Sequence, residues 1–138
     1  MSRPIYEGAV DVARELETAA HFCQVFDCTY EQYPPRHPVN GKIVQKGKTV
    51  AVVEIKARNN KSKKYPTVMM GSAKWERGRS WAHTENVPFV VIIRFTDGVF
   101  MTIARSGYEE YIGGRTDRAD DKDMERCIYI PIDSFRKI

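Results

Sequence analysis

Apolar and polar positions change period several times along the chain, and each change marks an element. From Tyr6 to Phe26 the apolar residues Val12, Leu16, Ala19, Cys23 and Phe26 recur every three or four positions. That spacing predicts an amphipathic helix with this stripe turned to a core. A short extended segment, Thr29 to Tyr33, is stopped by Pro34-Pro35, and Pro38 keeps the next stretch out of helix. Gly41 to Gln45 and Thr49 to Ala57 then read as two strands around Lys46-Gly47-Lys48, a hairpin turn with glycine available for positive φ. Val50-Ala51-Val52-Val53 is apolar on both faces, as a strand inside a covered sheet requires.

Asn59 to Lys64 is a polar, basic loop. A second helix is predicted over Thr67 to Thr84, carrying Met69, Met70, Ala73 and Trp75, with Trp75 read as core rather than as a base-stacking platform. Val87 to Phe95 is a buried strand, turned by Thr96-Asp97-Gly98 into Val99 to Ala104. A loop rich in Gly, Arg and Asp (Gly113 to Asp123) leads to a last strand, Cys127 to Ile132. This order predicts an α/β sandwich, a mixed central β-sheet flanked by helices. The elements do not alternate regularly and no Gly-x-Gly-x-x-Gly is present, which argues against a dinucleotide-binding fold. Without repeats or linkers, residues 1–138 read as one domain.

Composition narrows the class. With 42% hydrophobic and 29% charged residues the chain is neither disordered nor fibrous. No apolar run approaches the roughly 20 residues that span a bilayer, and the start lacks a signal peptide's apolar stretch, so a cytoplasmic protein with no membrane partner is expected. Cys23, Cys28 and Cys127 are odd in number and lack Cys-x-x-Cys spacing, which argues against a disulfide framework and a structural zinc. Cys23 is assigned to a helix face. The net charge of +4 permits nucleic-acid binding without demanding it. Its distribution says more: Arg58, Lys61, Lys63, Lys64, Lys74, Arg77 and Arg79 crowd together with Glu76 the only acid among them. A solvated loop and helix face would look the same.

Glu54 and Lys56 are the informative pair. Strand side chains alternate, so the two project on one face while Val53 and Ile55 pack on the other. An acid and a lysine on an otherwise apolar strand are costly to bury unless they meet partners or a ligand. A structural ion pair at the strand end is the plain alternative. If Lys46-Gly47-Lys48 is a three-residue loop, Gln45 pairs with Thr49 and Asn40 falls opposite Glu54, conditional on that loop length. Two oxygen-bearing side chains, a backbone carbonyl near Ile55 and an adjacent lysine would suit Mg²⁺, which takes hard oxygen ligands and keeps several waters. Such an ion polarises a phosphate and activates a water, with Lys56 orienting the water or stabilising developing charge. His21, His37 and His83 have no metal-ligand spacing and no nucleophile partner, and His37 is assigned to an exposed loop, where DNA contact is the alternative.

Asn40 followed across the hairpin by Glu54-Ile55-Lys56 resembles the PD-(D/E)XK nuclease signature, in which an Asp precedes a Glu-x-Lys. The wider chain, from about Val10 to Gly98, resembles small phage and bacterial proteins of that superfamily, including Holliday-junction-resolvase-like endonucleases. The matching stretches are Glu15-Leu16-Glu17, Val52 to Arg58, Ser72-Ala73-Lys74-Trp75 and Val87-Pro88-Phe89. Glu-x-Lys alone is weak; on a buried strand after a hairpin, between a glutamate-bearing and a lysine-bearing helix, it is more specific.

The resemblance implies a restriction-endonuclease-like fold and a metal-dependent DNA endonuclease in a bacterial or phage-infected cell. It implies Lys56, Glu54, Asn40 and Glu15 as catalytic positions, and Glu54, Asn40, Ile55 and Glu15 as metal ligands. Mg²⁺ is the implied ion, with Mn²⁺ able to substitute. Glu17 is the fallback for Glu15, and a solvated helix charge is the alternative for either. Lys74 resembles a helical residue that approaches the cleaved phosphate, a surface lysine being the alternative. Arg58, Lys61, Lys63, Lys64 and Lys74 are the implied nucleic-acid contacts. A chain this small favours cutting by DNA structure, at branches or junctions, and a homodimer would suit paired cuts. A non-catalytic DNA-binding or assembly protein on the same fold is the alternative.

Asn40 departs from the pattern, because an amide offers one neutral oxygen where the family has a carboxylate. Losing that charge should weaken divalent-cation binding. Three explanations stand side by side: an Asp-to-Asn variant made inactive, a natural homologue that kept binding and lost cleavage, or a different register with Asp27 as the acid.

Overall fold

The computed structural model describes residues 9–114 and 124–138. The chain runs α1 (Ala9–Phe26), β1 (Thr29–Gln32), β2 (Gly41–Gln45), β3 (Lys48–Ala57), β4 (Thr67–Gly71), α2 (Ser72–Glu85), β5 (Phe89–Phe95), β6 (Gly98–Ile103), β7 (Glu109–Gly114), β8 (Met124–Pro131) and β9 (Arg136–Lys137). Short 3₁₀ turns lie at Ser62–Lys64 and Ile132–Ser134. A six-stranded sheet has the order β1-β2-β3-β5-β6-β9, and a three-stranded sheet has the order β4-β8-β7. β3 and β5 are parallel and the remaining pairs antiparallel, so the large sheet is mixed as anticipated. A parallel neighbour needs a long crossover, which β4 and α2 supply.

The two faces of the large sheet are covered differently. Val53, Val90 and Ile92 face α1, where Phe22, Ile43, Ala51 and Val99 complete a core with Ile55 and Cys23 at its margin. Val52, Val91 and Ile93 face the other way, against Trp75 and Ala82 of α2 and Val68, Met70, Ile128 and Ile130 of the small sheet. β3 is thus buried on both faces, and Trp75, 2% exposed, is core.

α1 presents a different stripe from the expected one. Glu15, Thr18, Ala19 and Phe22 are buried at helical spacing, whereas Leu16 is 44% exposed. The helix ends with Asp27 left-handed and the Cys28 amide on the Cys23 carbonyl, a common helix stop. The first part of the predicted helix, Tyr6 to Gly8, lies outside the described residues.

The predicted second helix is corrected at its start. Thr67–Gly71 forms strand β4, with Val68 and Met70 buried and Met69 exposed, because β8 offers a pairing edge that no local pattern reveals. Strands β7 and β9 escape the pattern as well: β7 (Glu109–Gly114) does not alternate apolar and polar residues, and β9 has only two residues. The first two residues of the Gly113-to-Asp123 loop belong to β7, and 115–123 lie outside the described residues.

The hairpin corrects the turn and keeps the register that matters. Gln45 pairs with Lys48, so the turn has two residues, Lys46 and Gly47, with φ of 52° and 75°. Positive φ at both positions matches the strand twist of a tight hairpin. A bulge then leaves Val50 unpaired between Val44↔Thr49 and Ile43↔Ala51, and Val50 is correspondingly 37% exposed. The extra residue restores the count lost in the shorter turn. Gly41 faces Val53, and one step further Asn40 comes level with Glu54.

Candidate active site

Asn40 sits where β2 begins, its amide donating to the Val53 carbonyl (3.1 Å) and its carbonyl accepting from the Tyr33 amide (2.9 Å). Its side chain bridges two elements: Oδ1 accepts from the Ile55 amide at 2.7 Å, and Nδ2 donates to Glu15 Oε1 at 2.8 Å. Only this orientation of the amide satisfies both partners. Next to it, Gly41 is required by space, because a Cβ there would collide with the Tyr30 ring and the Glu31 carbonyl. The Ile55 amide and carbonyl project to the same side of β3, so the carbonyl is directed to the edge that β2 leaves uncovered beyond Gly41.

Glu15 is 8% exposed and receives two more donors on Oε2, Tyr30 Oη at 3.0 Å and Gln32 Nε2 at 2.8 Å. Neither Tyr30 nor Gln32 was foreseen. Their spacing of two on a strand, which puts them on one face, was the available signal. Between the two helical acids the geometry discriminates clearly. Glu15 lies against Asn40, while Glu17 is 65% exposed and pairs with Arg94 at 2.9 Å.

Glu54 is 2% exposed, and Lys74 Nζ lies 2.6 Å from its Oε1. Its other oxygen, Oε2, is buried without a hydrogen-bond partner among the described residues. Lys74 is therefore not the free surface lysine of the alternative reading. It comes from the first turn of α2, and α2 approaches the sheet closely because Gly78, one turn on, packs where a Cβ would strike the Phe89 ring. Lys56, half-buried, projects on Glu54's face of β3, since Val91 and Ile93 beside the pair belong to the α2-side core. Glu15, Asn40, Ile55, Glu54, Lys56 and Lys74 are thus gathered around one end of the hairpin.

Other sequence candidates lie elsewhere. Asp27 stands at the opposite end of β2, where its carbonyl accepts from Gln45, so it is not an alternative to Asn40. His37 is half-buried rather than exposed, stacked on Tyr33 at 3.8 Å, with Nδ1 accepting from the Val39 amide. Lys61, Lys63 and Lys64 are exposed on a loop that is pinned, since Asp97 accepts from the Ser62 hydroxyl (2.7 Å) and amide (2.8 Å). Those bonds hold the Asp97 carboxyl below its ordinary value, the hydroxyl bond most of all. Burial, with Cys28 alongside, pushes the Cys23 thiol up to about 12, far from thiolate chemistry at neutral pH.

The residues can be tested against a divalent cation. Glu54 Oε2 is a buried carboxylate oxygen without a donor among the described residues, and hard cations take such oxygens. Ile55 follows Glu54 along β3 and Asn40 stands level with Glu54 across the hairpin, so the donor types at hand fit such an ion. The set is one carboxylate short: among the described residues, no three Asp, Glu, His or Cys side chains converge.

Fold and family match together point to a PD-(D/E)XK-type nuclease. The structure is similar to that of Hjc, a Holliday junction resolvase from the archaeal hyperthermophile Archaeoglobus fulgidus, with a TM-score of 0.58 at 7% identity, covering 91% of this chain and 92% of that one. The fold is restriction-endonuclease-like. Residues 1–138 match the family model described as "Phage putative PDDEXK endonuclease", and the chain belongs to that family. No curated protein matches it. Among the described residues no helix is long and apolar enough to cross a membrane.

Proposed function

We propose that this protein is a Mg²⁺-dependent DNA endonuclease, selective for branched or junction DNA, in a form whose cleavage is disabled at Asn40. One observation carries the reading: a 2% exposed glutamate on a central strand has one oxygen on a lysine and the other without a hydrogen-bond partner among the described residues, level with an amide that bridges to a second buried acid. A structural pair would have satisfied both oxygens.

Glu54, Asn40 and the Ile55 carbonyl would hold the ion, with Glu15 behind Asn40; Mn²⁺ would substitute. When bound, the ion supplies polarisation of a phosphate oxygen and an acidified water. Lys56 orients that water or stabilises charge developing on the phosphate. Lys74, 27% exposed, reaches outward from Glu54 to the cleaved phosphate. Arg58, Lys61, Lys63 and Lys64 follow the active strand and hold the flanking backbone without reading sequence. Asn40 lacks the charge that would bind the ion tightly, so the chain as it stands cuts slowly or not at all.

The structural neighbour is a Holliday junction resolvase, which supports a junction substrate; a two-fold dimer would make paired cuts on such a substrate, in the cytoplasm of a phage-infected cell. Residues 1–138 act as one domain. A second reading, a non-catalytic DNA-binding protein, draws on Asn40, whose amide has partners on both sides without any metal. The test incubates this protein and its Asn40→Asp variant with branched, duplex and single-stranded DNA in Mg²⁺, Mn²⁺ and EDTA. Freshly prepared protein is needed, because Asn-Gly pairs deamidate. Metal-dependent cutting of branched DNA by the variant is the expected result. Binding without cutting by both forms in every metal would favour the second reading.

A further inference from the structure

The residues flanking the candidate site build a second feature. A cleft of about 660 Å³ is lined by Ala13, Arg14, Glu17, Arg58, Arg94 and Thr96, among others. It lies where α1 crosses the carboxyl ends of the parallel strands β3 and β5. The pairing of Ala57 with Arg94, and the bond from the Arg58 amide to the Arg94 carbonyl (2.9 Å), bring two arginines side by side. Arg14 joins them from the helix, adjacent in sequence to Glu15. Three arginines against one glutamate give the described lining residues an excess of two positive charges. Gathering like charges is unfavourable in an empty cleft and favourable around an anion. The surroundings of Arg58 partly desolvate it and lower its pKa from the ordinary value, although the residue keeps solvent access.

We infer that this cleft binds a backbone phosphate of the DNA strand flanking the scissile bond, with Arg14, Arg58 and Arg94 as its donors and Glu17 as a latch on Arg94. Guanidinium forks match phosphate oxygens in geometry as well as charge. Arg58 lies four residues beyond Glu54, about 13 Å along a strand, so the phosphate held is a few nucleotides from the one cleaved. Glu17 occupies Arg94 until a phosphate displaces it; the pair is exposed, so its release costs little. The inference rests on the DNA reading above and adds Arg14, Arg94 and Glu17 to it.

The test measures equilibrium binding of a fluorescent branched DNA across a salt series, for the chain and for Arg94→Ala, Arg14→Ala and Glu17→Gln. All three sites are on the exposed surface, and thermal melts check folding. Each arginine loss should lower the salt slope by about one unit and weaken binding about three- to tenfold near 100 mM salt. Glu17→Gln should tighten binding about two- to threefold by freeing Arg94. Unchanged slope and affinity in folded arginine variants, while the parent chain binds, overturns the cleft and leaves the DNA reading intact. Absence of DNA binding by the parent chain at low salt overturns the DNA reading itself. Displacement of DNA by millimolar inorganic phosphate from the parent and Arg94→Ala alike would also count against the cleft.

Discussion

Replacing Asn40 with Asp puts the charge logic of the site to its most direct test. The amide nitrogen that donates to Glu15 at 2.8 Å becomes a carboxylate oxygen, while the oxygen that accepts from Ile55 remains. A hydrogen bond to a charged group is lost, worth about 1.5–3 kcal/mol. In its place two carboxylates face each other; unit charges 4 Å apart repel by about 4 kcal/mol at an effective dielectric of 20. Local relaxation and sharing of a proton relieve part of this, leaving a net destabilisation of about 2–4 kcal/mol at pH 7 in EDTA. For a chain of this length that lowers the melting temperature by about 6–16 °C. A cation near both carboxylates removes the repulsion. At a hundredfold excess over its dissociation constant it returns about 2.7 kcal/mol. The assay is a thermal melt of both proteins in EDTA and in Mg²⁺. The expected result is a variant that is less stable than the parent in EDTA and recovers most of the difference in Mg²⁺, with the parent nearly indifferent. A variant as stable as the parent in EDTA, or an equal Mg²⁺ response from both, would refute the argument that a carboxylate at position 40 faces Glu15 and completes a cation site.

Two further outcomes follow from the same geometry. Lys74→Met strands the buried Glu54 carboxylate and should cost about 3–5 kcal/mol in urea unfolding at pH 7, whereas Glu54→Gln leaves a lysine that can reach water and should cost less; equal losses would contradict the assigned burial. Asp97, held below its ordinary value of 3.8 by Ser62, contributes stability that is present above pH 3.8 and lost as pH falls through the lower folded value. Asp97→Asn should therefore be less stable than the parent at pH 6, with the gap narrowing as pH falls below 3.8, and with faster hydrogen exchange in 59–64; a pH-independent gap would be the wrong result.

Much of the site could be read locally because strand geometry is local. Glu54 and Lys56 share a face through the two-residue period alone, and Val53 and Ile55 take the other for the same reason. Asn40 came level with Glu54 through two departures that offset each other, a turn one residue short and a bulge at Val50. A hydrophobic pattern specifies which residues face the core more strongly than it specifies how the turn is made. Glu15 was also within reach: it heads the stripe Glu15, Thr18, Ala19, Phe22, and only the habit of counting apolar residues favoured Leu16.

The sequence by itself determined the sandwich class, the hairpin, the central strand, the first helix and the acid–lysine pair, all consequences of periodicity and turn chemistry within a few residues. Tertiary structure alone decided the rest. Thr67–Gly71 became a strand because β8, whose paired residues lie 56 to 64 positions further on, supplied the partner its amides needed. It also decided that Glu15 rather than Glu17 meets Asn40, that Lys74 ends on Glu54, and that Arg14, Arg58 and Arg94 share a cleft. Each of those pairs elements far apart in sequence, and no local pattern encodes which charges the packed sheet and helices bring within reach of one another.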